Sequence, residues 1–163
     1  MKKALCLLFL FVITISLYSC ATEPDVIEEP VNFYYPLVNT IYGTQSGVID
    51  AEVYDAKELK TDYTNLLRKY LEGPKSEELR NFFPNGTELI SFYDFDGRVQ
   101  IIFSSHLSQL SKAELTIACA CITNTVIELT EAKSVQINTE DNSLDDIESM
   151  RFSLEDFVFF NAD

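Results

Sequence analysis

The residue with the most definite chemistry in this chain is Cys20, which ends the tetrapeptide Leu17-Tyr18-Ser19-Cys20. A small residue directly before a cysteine, at the end of an apolar N-terminal run, is typical of a bacterial lipobox. In such a motif the thiol is alkylated with diacylglycerol, the leader is cleaved, and the new amino group is acylated. We therefore predict an N-palmitoyl, S-diacylglycerol cysteine at position 20.

The segment before Cys20 has the parts of a secretory leader. Lys2 and Lys3 form a positive start, and Ala4 to Ser16 form an apolar run that is too short to span a membrane comfortably. We predict a lipoprotein signal peptide over residues 1–19 and a mature protein that begins at Cys20. An ordinary secretory signal and a retained membrane anchor are the alternatives.

Two further cysteines, Cys119 and Cys121, could in principle bind metal or form a disulfide. Their i, i+2 spacing turns them about 200° apart on a helix, which excludes a mutual disulfide unless the helix unwinds. A metal pair would need partners, and the single histidine, His106, is the one soft candidate. The sequence therefore predicts two small apolar helix residues, with no metal site and no cofactor.

A hydrolase would need a nucleophile and a base in hydrogen-bond reach. Ser104-Ser105-His106 supplies both residue types, but we do not expect sequence neighbours to meet in that geometry, and we predict an exposed loop histidine. The chain also has no Gly-x-Ser-x-Gly and no His-Glu-x-x-His motif. We predict no catalytic residues and no enzyme activity.

The stretch Asp94-Phe95-Asp96-Gly97 resembles the start of a calcium loop. An EF-hand would need a bidentate glutamate at its twelfth position, where this chain has Ser105. Turn chemistry explains the same residues, and the acidic runs 50–62 and 140–148 are typical of solvated faces. Weak, unspecific divalent-ion binding is the alternative.

The charge balance excludes some partners. The chain has 12 Lys+Arg against 26 Asp+Glu, a formal charge of −14. Because residues 1–19 contain two lysines and no acid, the mature chain has 10 basic and 26 acidic residues, a charge of −16. Nucleic acid and anionic lipid are therefore poor direct partners. The membrane would be reached through the lipid on Cys20.

The mature chain of 144 residues fits one domain after a short tether. We predict an acidic flexible tether over residues 20–31, with two prolines and four acids, and a single domain over 32–163. Predicted strands lie at Asn32–Val38, Val48–Tyr54, Glu88–Phe95, Arg98–Phe103 and Ser134–Asn138, with a last strand or ordered edge at Phe152–Phe160. Predicted helices lie at Thr61–Glu72 and from a capping box at Ser111 to Leu129, with a short helical turn at Ser76–Arg80.

The best-defined local signal is a hairpin around Asp96-Gly97, which predicts a type I′ turn. It pairs Asp94 with Val99 and Phe92 with Ile101. One face would enter the core and the other would be mostly wet. The predicted core face carries Ile90, Phe92, Val99, Ile101 and Phe103, and the wet face carries Ser91, Tyr93, Arg98 and Gln100.

These segments together resemble the GerMN domain family. Leu66–Ser76 is similar to its helix that ends in Leu-x-Gly-Pro, and Phe83–Thr87 is similar to its Pro-x-Gly-Thr entry into a strand. The family's other pieces follow in order: an Asp-Gly hairpin in Tyr93–Phe103, an alanine-rich helix with Thr123-Asn124-Thr125 in Ala113–Leu129, a Val-Gln-Ile strand at Val135–Ile137, and an ending similar to Ile147–Phe152. Met150 and Arg151 replace the glycines usual near the last strand. The chain has room for one such domain.

The resemblance implies the fold class α/β (α+β): a mixed, largely antiparallel sheet of about five to six strands with two helices packed on one face. It implies a non-catalytic lipoprotein on the outer face of a cell membrane or in a periplasmic leaflet. Its domain would contact an envelope protein, with a role in sporulation or germination.

A surplus of aromatic residues supports an alternative function. These rings could line a groove for a small ligand, a peptide or a cell-wall fragment, or they could fill the core beneath short strands. They are Phe33, Tyr34, Tyr35, Phe157, Phe159 and Phe160.

Overall fold

A computed structural model describes residues 27–39, 47–59, 61–142, 144 and 150–157. Within these ranges the chain forms six strands and two α-helices, in the number predicted. The strands are β1 (Pro30–Pro36), β2 (Ile49–Asp55), β3 (Leu89–Asp94), β4 (Arg98–Phe103), β5 (Ser134–Thr139) and β6 (Arg151–Phe152). The α-helices are α1 (Tyr63–Leu71) and α2 (Lys112–Thr130), with short 3₁₀ helices at Ser105–Gln109 and Leu154–Phe157.

The six strands are divided between two sheets, whereas a single sheet was expected. β1 and β2 form an antiparallel pair, and β3, β4, β5 and β6 form a second sheet in that order. β4 and β5 are parallel, and α2 makes the crossover between them. The second edge of β1 lies against α2, where the backbone N–H of Tyr34 donates to Thr125 Oγ1 at 2.9 Å. Because this edge is used by the helix, β1 does not join the larger sheet.

Helix α2 is the centre of the core. It packs against β1 of the small sheet and β5 of the large one, and every residue from Ala118 to Val126 is buried. By length and composition it is also the one helix among the described residues that could cross a membrane, but 56% of that window is buried in the protein. Its burial identifies it as a core helix.

The predicted capping box of α2 is confirmed. Ser111 Oγ accepts from the Glu114 N–H at 3.3 Å, and Glu114 Oε2 accepts from the Ser111 N–H at 3.0 Å. These bonds satisfy two N–H groups that have no partner inside the helix. At the other end Glu131 stops the helix in the left-handed conformation, with φ of 56°.

The helix α1 ends at Leu71 and is stopped, as predicted, by Gly73. Its start is capped by Asp62, whose Oδ1 accepts from the Asn65 N–H at 3.1 Å. Gly73 has φ of 91°, and a Cβ placed on it would lie 2.7 Å from Asn81 Nδ2. Both the backbone conformation and the close approach therefore require glycine here.

The short helical turn predicted at Ser76–Arg80 is wrong. This segment forms a turn and then an isolated antiparallel bridge between Leu37 and Leu79. The Arg80 N–H donates to Pro36 O, and the Val38 N–H donates to Glu78 O, both at 2.9 Å. Because the end of β1 takes these backbone groups, they cannot pair within a helix.

The hairpin has the predicted register, with one exception. Asp94 pairs with Val99 and Phe92 with Ile101. The register shifts between Leu89 and Ser91, which leaves Ile90 with 45% of its surface exposed. The prediction that Ile90 belongs to the core face is therefore wrong. An extra residue in a strand reverses the alternation of faces, and Leu89 is buried opposite Phe103 instead.

The last predicted strand is shorter than expected. β6 ends at Phe152, and the chain turns into the 3₁₀ helix Leu154–Phe157. Asp156 Oδ2 accepts from the Ser153 N–H at 2.7 Å and from Ser153 Oγ at 3.0 Å. This local cap turns the chain out of the strand. Residues 158–160 of the prediction lie outside the described residues.

Candidate functional site

Cys20 lies outside the described residues, so its lipidation remains a prediction. The described chain begins at Ile27, and the N–H groups of Glu28 and Glu29 donate to the Asp55 carboxylate at 3.4 and 3.3 Å. Lys57 adds a third N–H at 3.0 Å and an ion pair with Glu28 at 2.6 Å. The N–H groups hold the pKa of Asp55 below its usual range. Asp55 thus marks the point where the chain joins the domain, and the last two residues of the expected tether belong to β1.

The two candidate catalytic groups meet, contrary to expectation. Ser104 Oγ lies 3.3 Å from Nδ1 of His106, which is half-buried in the 3₁₀ helix rather than on an exposed loop. The same hydroxyl accepts from the Glu88 N–H at 3.0 Å and lies 3.4 Å from Gly86 O. A Cβ on Gly86 would lie 3.1 Å from His106 Nε2. This buried hydroxyl joins the loop before β3 to the loop after β4, and the histidine packs over that joint.

Cys119 and Cys121 are buried, free cysteines of α2. Burial raises the pKa of Cys119 to about 12 and raises that of Cys121 well above its usual value. A thiol held in its neutral form is a weak nucleophile and a poor metal ligand. The prediction that both are small apolar core residues is confirmed. Across the described ranges, no group of three or more His, Cys, Asp or Glu side chains could hold a metal ion.

The alternative prediction of an aromatic ligand-binding groove is wrong for the candidate rings that the structure describes. Phe33, Tyr35 and Phe157 are buried, and Tyr34 is partly buried with its hydroxyl donating to Glu128 Oε2 at 2.9 Å. Phe159 and Phe160 lie outside the described residues. The buried rings therefore serve packing rather than a ligand.

The centre of this aromatic packing is Tyr70 of α1. Its ring lies 5.4 Å from that of Phe33, 5.0 Å from Tyr35 and 5.2 Å from Phe83, measured between centroids. Its hydroxyl donates to Tyr34 O at 2.7 Å, and Tyr70 O accepts from the Tyr35 hydroxyl at 2.8 Å. The two tyrosines therefore join α1 to β1 with satisfied hydroxyls, as buried tyrosines require.

The Asp-Gly stretch is a turn, as predicted. Asp96 and Gly97 have φ of 51° and 77°, and Phe95 and Arg98 exchange two backbone hydrogen bonds at 2.9 and 3.2 Å. Positive φ at both central residues is the signature of a type I′ turn. The hairpin therefore needs no metal ion to explain its two aspartates.

The larger sheet has one face without a helix among the described elements. One face buries its residues under α1 and α2, as Val99, Ile101, Val135 and Ile137 show. The register places the alternating residues on the opposite side. We call this side the open sheet face and define it by Tyr93, Phe95, Arg98, Gln100, Gln136 and Arg151.

The open sheet face combines an aromatic pair with two arginines. Tyr93 and Phe95 are 45% and 57% exposed, and their rings stack with centroids 5.9 Å apart and an interplanar angle of 19°. Arg98 stands across the turn from Phe95, and Arg151 donates through Nη2 to Gln136 Oε1 at 3.2 Å. Neither arginine forms an ion pair with a described carboxylate.

A shallow cleft of about 390 Å³ runs across this face. Its lining includes both arginines, the Phe95 ring and the amides of Gln100 and Gln136, and none of its described lining residues is a carboxylate. A second cleft of about 390 Å³, between α1 and the start of β3, is lined by Arg68 but also by Glu72 and Glu88. A third, apolar cavity of about 120 Å³ lies between α2 and the last 3₁₀ helix. Of the two larger clefts, the first is therefore the one whose described lining has no carboxylate.

Sequence reasoning found half of this site. The hairpin register already placed Tyr93, Arg98 and Gln100 on one wet face. Gln136 and Arg151 join that face through the parallel pairing of β4 with β5 and the short β6. The alternation in Val135-Gln136-Ile137 indicated that Gln136 lies on the side opposite the core. It did not indicate which strand lies next to this one, because strand pairing is not determined by local sequence.

Comparison with known proteins identifies a family and a fold. The family model described as Germane, sporulation and spore germination, matches residues 32–145, which is more than half of the chain. The solved structure of the tandem GerMN domains of the sporulation protein GerM from Bacillus subtilis is similar, with a TM-score of 0.53 and 24% identity, covering 77% of this chain. The structure of the first GerMN domain of that protein is similar as well, with a TM-score of 0.52 and 17% identity over 68% of this chain.

The coverage shows how much of those proteins this chain represents. It matches 44% of the tandem-domain chain and 83% of the single-domain chain. Comparison with curated proteins gives no match. At these identities the solved structures establish the fold, while the family model establishes the family. The GerMN-type domain and the mixed α/β fold predicted from the sequence are confirmed.

Proposed function

The chain belongs to the Germane family, which is linked to sporulation and spore germination, and from this premise we propose a function. We propose that it is a lipid-anchored protein of the bacterial envelope whose domain acts by contact with another protein. The observation that carries the proposal is the arrangement along the chain. The predicted lipobox ending at Cys20 is followed by a short acidic stretch and then directly by the residues that match the Germane family.

The joint between stretch and domain supports a tethered function. The Asp55 carboxylate binds the backbone at residues 28 and 29, so the domain is held from that point. The eight residues from Cys20 to Ile27 span at most roughly 28 Å when extended. A domain anchored in this way would work within a few nanometres of the membrane, on partners that reach that zone.

Contact rather than catalysis is supported by how the reactive groups are used. The Ser104 hydroxyl is buried among backbone groups, and the cysteines of α2 are held as neutral thiols. The open sheet face, by contrast, presents exposed aromatic and charged side chains that a partner could contact. The family's link to sporulation and germination makes a spore former the expected host of this function.

The anchor is tested by mass spectrometry of the mature N-terminus after expression in a spore-forming bacterium. We expect a peptide that begins at Cys20 with diacylglycerol and palmitoyl masses, and we expect a Cys20→Ala variant to leave the membrane fraction. A mature N-terminus elsewhere, or an unmodified Cys20, would overturn the anchor.

The function is tested by deletion and complementation in that host. We expect loss of the gene to reduce the yield of heat-resistant spores or their germination, and the wild-type gene to restore it. Cys20→Ala should restore it poorly at equal protein level. Normal sporulation and germination in the deletion strain would remove the sporulation role, while membrane fractionation would still report on the anchor.

A further inference from the structure

The open sheet face stands out because its charge is opposite to that of the whole chain. The chain has a formal charge of −14, yet two of its twelve basic residues line one cleft in which no described lining residue is acidic. Neither guanidinium forms an ion pair with a described carboxylate, so both charges are available to a partner. A surface that concentrates unpaired arginines within an acidic protein attracts acidic partners and repels basic ones.

We propose that this face binds an acidic, extended peptide segment of a partner protein, with carboxylates on Arg98 and Arg151 and an apolar side chain on the Tyr93–Phe95 stack. The proposal rests on the function proposed above, since it names the chemistry of the partner in that contact. Planar guanidinium groups bind carboxylates through two parallel hydrogen bonds. Exposed aromatic residues and arginines are the residue types that dominate binding energy at protein interfaces.

The spacing of the two arginines sets the spacing of the acids. Arg98 is level with Ser134 in β5, and Arg151 is level with Gln136, two residues further along. Because β4 and β6 lie on either side of β5, the two Cα atoms are roughly 12 Å apart. Acids four residues apart in an extended peptide span roughly 13 Å. The peptide would cross the strands over Gln136.

The cleft between the arginines suits a peptide backbone. The side-chain amides of Gln100 and Gln136 each offer a donor and an acceptor there, and Gln136 Oε1 is already held by Arg151. An anionic lipid surface fits less well, because the mature chain as a whole would bring a formal charge of −16 toward it. An acidic peptide meets the arginines without bringing the whole domain against like charge.

The test measures binding of a defined probe to the mature protein. The probe is a fluorescein-labelled peptide, Phe-Glu-Ser-Ser-Ser-Glu, followed by anisotropy at low salt, with poly-glutamate as a second ligand and the peptide with both Glu replaced by Gln as control. We expect saturable binding that is roughly 10-fold tighter for the Glu peptide than for the Gln peptide, from two partly exposed ion pairs. We also expect it to weaken as salt rises.

Charge-matched variants locate the site. The double variant Arg98→Glu/Arg151→Glu should lose the preference for the Glu peptide. The control double variant Arg68→Glu/Lys112→Glu makes the same charge change at exposed residues away from the face and should keep it. Phe95→Ala should weaken both peptides equally. Circular dichroism and thermal unfolding of each variant confirm that the fold is intact.

Several results would overturn the proposal. They are the absence of saturable binding of either acidic ligand at millimolar concentration, equal binding of the Glu and Gln peptides, and equal loss in the two double variants. Concentration-dependent self-association in sedimentation velocity that Arg98→Glu/Arg151→Glu removes would assign the face to a second copy of the chain. Binding to phosphatidylglycerol vesicles that the same variant removes would assign it to lipid. None of these results bears on the lipid at Cys20, so the two proposals fail separately.

Discussion

The Gly73→Ala substitution tests whether the Gly-Pro stop of α1 is a packing requirement as well as a backbone one. Gly73 has φ of 91°, where an L residue costs roughly 1–2 kcal/mol. A Cβ there would also lie 2.7–2.9 Å from three atoms of the Asn81 side chain. Asn81 must therefore move.

Moving Asn81 disrupts what its side chain does. Its Oδ1 accepts from the Phe83 N–H at 3.0 Å, and its Nδ2 lies 3.4 Å from Leu71 O at the end of α1. Losing the first bond and weakening the second costs roughly 1–2 kcal/mol. The two effects together predict that Gly73→Ala lowers the free energy of unfolding by about 3 kcal/mol. Urea unfolding followed by circular dichroism should show a midpoint lower by roughly 1.5 M.

Gly97→Ala is the matched control. Gly97 has φ of 77° in the hairpin turn, but a Cβ there would meet its nearest neighbour, Lys133 Cγ, at 4.0 Å. It should carry the backbone cost alone, about 1–2 kcal/mol. If the two alanine variants were equally stable within about 0.5 kcal/mol, the contact with Asn81 would have no energetic weight and the reasoning would be refuted.

Three further predictions use other residues. Burial and the hydrogen bond to Glu128 raise the pKa of Tyr34 to about 12. The stability contributed by the protonated Tyr34 hydroxyl is therefore complete below pH 10 and is lost as pH rises toward 12. Glu128→Gln should lower that pKa in an NMR titration of labelled tyrosine, and an unchanged pKa would show that the carboxylate has no influence. Ile90→Ala should lower the free energy of unfolding by less than about 0.5 kcal/mol and Ile101→Ala by about 3 kcal/mol in the same urea assay. The reason is that the bulge exposes Ile90, whereas Ile101 is enclosed in the core. Equal losses would place Ile90 in the core after all. Burial raises the pKa of Cys119 to about 12, so a thiol reagent at pH 8 should react with it only on unfolding, and prompt labelling of the native protein would contradict the buried position.

Local signals in the sequence predicted the parts of the fold that a few neighbouring residues determine. Three such signals are the capping box at Ser111, the glycine stop at Gly73 and the Asp96-Gly97 turn. In each of them the backbone geometry is fixed by residues of the motif itself. Each motif is complete within about five residues, so no distant contact is needed to form it. Their positions held to within two residues.

The predictions that were wrong depended on partners far along the chain. Ser76–Arg80 has a serine cap and helix-forming residues, yet its backbone pairs with the end of β1 some forty residues earlier. Ile90 follows the alternation of its strand until a bulge shifts it. The separation of β1 from the larger sheet depends on Thr125 of α2 taking a backbone N–H. In each case contacts with a distant segment or a neighbouring strand override the local preference.

The candidate sites divide in the same way. Cys20 is predicted by four consecutive residues, because a processing enzyme acts on an unfolded leader and needs no tertiary structure. The open sheet face is assembled from β3, β4, β5 and β6. The crossover through α2 brings Gln136 beside Gln100, and Arg151 comes beside Gln136 when the chain returns as β6. The hydrophobic alternation predicted which side of the hairpin strands was wet, apart from Ile90. It could not predict which strands would be neighbours, and so it could not bring the two arginines to one cleft.

The path of the chain relates the anchor to the open sheet face. Asn32 near the start of β1 donates to Glu128 Oε1 at 2.6 Å, beside the C-terminal end of α2. From that end the chain enters β5 at Ser134, which is level with Arg98 in β4. The chain therefore leaves the tether at the same end of the domain as the hairpin turn, with Phe95 and Arg98 nearest to it. A partner segment bound there would lie on the tethered side of the domain, so the length of residues 20–27 would limit how far from the membrane that contact can form.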